Sequence, residues 1–108
     1  MPSHLEAAFN QAMLDIYHRA KAEAGYPATR FLRMVVDRGG LETARHLLHG
    51  SEVSEGYVAL YMRGRLDLTV EAMILASRWK PLFSDEERRI AVARLKKYEY
   101  QGQLPKID

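Results

Sequence analysis

A chain of 108 residues with 47% hydrophobic and 28% charged side chains can form one domain around a single modest core and is too apolar to be disordered. It has no cysteine, which excludes disulfides and thiolate metal sites and suits a reducing compartment. Net charge is only +2, yet Arg78–Lys97 carries seven bases (Arg78, Lys80, Arg88, Arg89, Arg94, Lys96, Lys97) against Asp85, Glu86 and Glu87, a local excess able to attract phosphates.

No apolar run approaches the ~20 residues that cross a bilayer. The opening MPSHLEAAF lacks the basic and apolar regions of a signal peptide. A cytoplasmic protein with no membrane partner is expected.

Ser3-His-Leu-Glu6 has the pattern of a capping box, which satisfies free N–H groups at a helix start. Behind it Leu5, Phe9, Ala12, Met13, Ile16 and Ala20 recur at helical spacing until Gly25 and Pro27. A second helix is predicted over about 28–38. Phe31, Leu32, Met34, Val35 and Val36 cover more than half its circumference, so it is expected at the centre of the fold. Gly39-Gly40 breaks the chain. A third helix, about 41–49, aligns Leu41, Ala44, Leu47 and Leu48, and Gly50 is expected to end it in the left-handed conformation.

The stretch Tyr57–Met62 is apolar all round. Then Leu66, Leu68 and Val70 alternate with Asp67, Thr69 and Glu71, a strand pattern, and Arg63-Gly64 suits a hairpin turn. A lone two-stranded hairpin is marginal, however, and Asp67 or Thr69 can cap a helix running into EAMILAS. Two short helices are the preferred reading, with an α+β hairpin at 57–71 as the alternative. Trp79 and Pro81 mark a corner. Ser84-Asp-Glu-Glu87 is a second capping box, and the last helix runs to about Tyr98, burying Ala91, Val92, Leu95 and Tyr98. The expected fold is all-α, a single compact bundle of five or six short helices over residues 1–100, with 101–108 as an irregular tail.

Chemistry-bearing patterns are sparse. Glu42, His46 and His49 fall at i, i+4 and i+7 of the third helix and form a weak metal candidate. They lack a fourth ligand, and a solvated polar stripe explains them better. There is no G-x-S-x-G elbow and no glycine-rich phosphate loop. No catalytic residue and no cofactor is expected.

The segment VVDRGGLETARHLLHG invites a helix-turn-helix reading with Glu42, Thr43, Arg45 and His46 as base readers. Val35, Val36 and Arg38 sit where that motif wants other residue types, so a helical corner fits better. The stronger nucleic-acid candidates are Arg78, Lys80, Arg89, Lys96 and Lys97 around the last helix, with Trp79 beside them. Ile90, Tyr100, Leu104 and Ile107 lie outside the assigned core. They mark either a partner surface or packing of the tail onto the domain.

The runs YPATRFLRMVVDRGGLETARHLL, GRLDLTVEAMIL and LFSDEERRIAVARL together resemble a small uncharacterised bacterial all-α domain that occurs alone and as a C-terminal extension of larger proteins, some nuclease-like. The resemblance spans about Tyr17 to Tyr98 and implies helix for GRLDLTVEAMIL and an accessory role. It assigns no activity and no functional residue. The leading expectation is a non-enzymatic interaction module that binds another protein, or itself as a homo-oligomer, in a nucleic-acid-related setting. The alternative is direct binding of DNA or RNA through the last helix.

Overall fold

The structure, a computed structural model, describes residues 3–107. Six α-helices and two 3₁₀ turns make an all-α bundle, and no strand occurs among the described residues. None of the described helices is long and apolar enough to cross a membrane.

Helix α1 (His4–Ala24) starts where Ser3 Oγ accepts the Glu6 N–H and ends at Gly25, whose left-handed φ of 65° favours a glycine. Its stripe of Phe9, Met13, Ile16, Tyr17 and Ala20 is buried, and both 3₁₀ turns, α2 and α3 pack on it. The first helix is therefore the central one. The second, α2 (Thr29–Arg38), buries only Val35 and leaves Val36 72% exposed. Its apolar pattern spreads over more surface than its two neighbours, α1 and α3, cover, which is why it lies at the periphery.

The Gly-Gly pair has two separate jobs. Gly39, at φ 86° and ψ 160°, occupies a region open essentially to glycine alone and lets α3 (Gly40–Leu48) start at once. Gly40 sits against α1: a Cβ there would lie 2.9 Å from Asn10 Cα. Its N–H donates to Asn10 Oδ1 at 2.8 Å, so a residue of α1 caps α3.

Helix α4 (Glu55–Met62) is capped by Ser54 and buries Tyr57 and Leu60 while exposing Val58, Tyr61 and Met62. There is no hairpin after it. Leu66–Leu68 is a 3₁₀ turn, and Thr69 caps α5 (Val70–Ile74) by accepting the Ala72 N–H. Leu66, Leu68, Thr69, Val70 and Glu71 are all buried, so the two-residue alternation there reflects polar groups taken into the core rather than a sheet face.

A second 3₁₀ turn, Ser77–Leu82, plants Trp79 in the core, where it meets Phe9 edge-on with ring centroids 5.1 Å apart. The complete capping box of Ser84 and Glu87 then opens α6 (Asp85–Lys97), whose Ala91 and Leu95 are fully buried. At the far end Glu99 takes the left-handed conformation, φ 59°, and turns the chain back. The irregular tail then runs along α6. Ile90, Tyr100, Leu104 and Ile107 are all partly buried against the core, so the tail packs onto the domain.

Candidate functional site

The seven bases between Arg78 and Lys97 do not form one surface. Arg88 is 7% exposed. Arg94 turns inward and donates to the carbonyls of Leu47 (3.0 Å), Leu48 (3.2 Å) and Gly50 (2.7 Å) and to Glu71 Oε2 (3.0 Å). A guanidinium thus satisfies the carbonyls at the end of α3, the task expected of a left-handed Gly50. Gly50 consequently does not adopt a positive φ.

Burial pushes the Glu71 carboxyl above the usual range, while its own backbone N–H and the Arg94 guanidinium pull the other way. Tyr57 donates its hydroxyl to the Arg94 carbonyl at 3.0 Å, and burial pushes that phenol up as well. Arg78 lies 4.3 Å from the centre of the Trp79 ring, which fixes it against the surface and uses the indole from within the fold. Lys80, Arg89, Lys96 and Lys97 are exposed.

The stripe on α3 divides. His49 Nε2 lies 2.9 Å from Glu87 Oε2, and Arg45 donates to the Leu82 carbonyl at 2.9 Å while standing 3.7 Å from the same carboxylate. Burial opposes ionisation of Glu87. The Ser84 N–H, His49 and Arg45 outweigh it and hold the carboxyl below its usual range. Glu42 and His46 are exposed and join neither group. Among the described residues no three of His, Cys, Asp and Glu converge as a metal site would need, so Glu42, His46 and His49 do not form one. Of the four residues of the helix-turn-helix reading, Thr43 is fully buried and Arg45 is engaged by Leu82 and Glu87, while Glu42 and His46 are exposed.

Two candidates meet in one place. Between α6 and the tail runs a groove of about 590 Å³. Arg89 and Lys96 stand seven residues apart on one side of α6, with Val92 and Ala93 between them. Leu104, Pro105, Lys106 and Ile107 form the opposite wall. None of these eight lining residues is acidic. Residues picked separately as phosphate-binding (Arg89, Lys96) and as apolar partner groups (Leu104, Ile107) therefore share one surface. Lys97, Arg78 and Lys80 lie outside it, and so do Ile90 and Tyr100.

A second feature has no counterpart in the sequence reading. A half-open apolar cleft of about 300 Å³ lies between α1, α2, α3, α4 and the start of α5. Its sequence signals were the excess apolar surface of α2, expected at the centre of the fold, and the all-apolar stretch that forms α4. Comparison with family models, curated proteins and solved structures finds no match to this chain.

Proposed function

We propose that the chain is a non-enzymatic interaction module that docks a segment of another protein in the groove between α6 and the tail. A nucleic-acid-related bacterial setting is part of the same proposal and is supported by the resemblance noted in the sequence. The observation that carries the reading is the pairing of an apolar floor, from Val92, Leu104 and Ile107, with the exposed cations Lys96 and Lys106, no lining residue among those described being acidic. Such cations select acidic partners and set their register, while the apolar floor supplies affinity. The matching segment alternates Asp or Glu with large apolar side chains.

The second reading, direct nucleic-acid binding, is favoured by the outward placement of Arg78, Lys80, Arg89, Lys96 and Lys97. It makes no use of the apolar floor. It is also weakened by the withdrawal of Arg88 and Arg94 into the fold.

Fluorescence anisotropy with a labelled acidic amphipathic peptide and with single-stranded DNA separates the two. For protein docking, Lys96→Glu and Leu104→Ser should each weaken the peptide about tenfold, roughly 1.4 kcal/mol. The Leu104→Ser variant must still melt cooperatively. If DNA binds instead, with a log–log salt slope of several (about one per phosphate contact) and indifference to Leu104→Ser, the nucleic-acid reading replaces ours. If neither ligand binds at low salt, both fail.

A further inference from the structure

We infer that the cleft bounded by α1, α2 and α4 is a binding site for one neutral aromatic molecule about the size of two fused rings. The site is separate from the α6–tail groove, and no residue lines both.

Size comes first. An engineered apolar cavity of about 150 Å³ takes one benzene. This cleft holds about 300 Å³, twice that volume, and lies at the lower end of ordinary ligand pockets, about 300–1,000 Å³.

Lining comes second. Tyr17, Tyr26, Phe31 and Tyr57 contribute four aromatic rings from four different parts of the chain. Met34 adds a polarisable sulfur and Leu60 an aliphatic wall. Rings accept another ring edge-on or offset, and thioether sulfur favours aromatic edges.

Charge decides between neutral and ionic ligands. The buried carboxylate in the wall, Glu71, is 3% exposed and already held by Arg94 at 3.0 Å. The rim has one permanent cation, Arg30, one carboxylate, Glu55, and His46. Arg30 and Glu55 are one charge of each sign, so the rim offers no net counter-charge to an ionic ligand, and taking such a ligand out of water into an apolar cleft is costly. The same rim still offers donors and acceptors to one polar substituent at the mouth.

Access is built in. α2 forms one wall through Phe31 and Met34, yet Val35 is its one buried residue and its N-terminus has no side-chain cap. An element held by so few buried contacts opens at low free-energy cost, which lets a ligand enter.

The test uses indole as the probe, with indole-3-acetate and tryptamine as anionic and cationic controls and indole-3-acetamide as the neutral compound of their size. Binding is followed by chemical shifts in ¹⁵N-labelled protein. Indole should saturate and shift resonances of Ala20, Phe31 and Met34, and the charged analogues should bind at least tenfold more weakly than indole-3-acetamide. Gly56→Leu is the blocking variant: a Cβ there meets nothing closer than 3.8 Å, so the side chain can fill the cleft without displacing backbone. It should fold normally and lose indole binding. Lys96→Glu, in the other groove, should leave indole binding unchanged, so failure of one site does not read as failure of the other. Absence of saturable indole binding, equal binding by Gly56→Leu, or equal affinity for a charged analogue overturns the inference.

Discussion

At the scale of single residues the centre of the molecule is Arg94. Its side chain, 12% exposed, closes the end of α3 and neutralises Glu71, 4% exposed, on α5. Removing the cation leaves a buried carboxylate and three carbonyls to find new partners. Arg94→Met is therefore expected to cost about 3–5 kcal/mol, read as a lower urea midpoint. An unchanged midpoint would show that this contact adds nothing to the fold. This residue also shows what the sequence hides. Ser3, Thr69 and Ser84 were legible as caps because a cap bonds to a backbone group three residues away. Arg94 bonds to groups 23 to 47 residues away, and nothing near it in the chain distinguishes it from the exposed Lys96.

Among elements, the end of α1 is tied to the Leu66–Leu68 turn by charge. Arg19 meets Glu23 at 2.8 Å, Arg65 meets Glu23 at 2.8 Å, and Arg65 meets Asp67 at 3.0 Å. Hydrogen bonds from Arg19 and then Arg65 hold the Glu23 carboxyl down to about 2. Arg65 likewise lowers Asp67. A carboxyl whose folded value is depressed contributes stability that is complete above its unfolded value, about 4.3, and is lost as pH falls through the folded value. Wild type should lose stability relative to Glu23→Gln on going from about pH 5 to pH 2, the interval spanning those two values. These groups are exposed, so high salt should shrink the difference. A difference that stays constant across that interval would show that the ties do not hold in solution. Helix boundaries were legible at this scale, whereas their ranking was not. A hydrophobic pattern records how much apolar surface an element has, not how much its neighbours cover, and so α2 read as central while α1 is.

For the molecule as a whole, the tail completes the domain rather than trailing from it. Tyr100, Leu104 and Ile107 press on the core beside Ile90. Truncation after Gln101 removes two partly buried aliphatic side chains and should cost about 1–3 kcal/mol, measured by urea denaturation. It should also abolish peptide docking, because one wall of the groove is gone. Full stability in the truncated chain would mean that the tail does not pack. The groove was half legible in the sequence, which identified its residues but not their meeting, because the turn at Glu99 that brings the tail back along α6 carries no glycine to announce it. The buried Trp79 adds a practical consequence. It is the sole indole in the chain and lines neither the groove nor the cleft. With Phe9 at its edge and Arg78 across its face, its emission reports the seating of the 3₁₀ turn on α1. Intrinsic fluorescence is thus an optical gauge of folding, largely blind to what either surface holds.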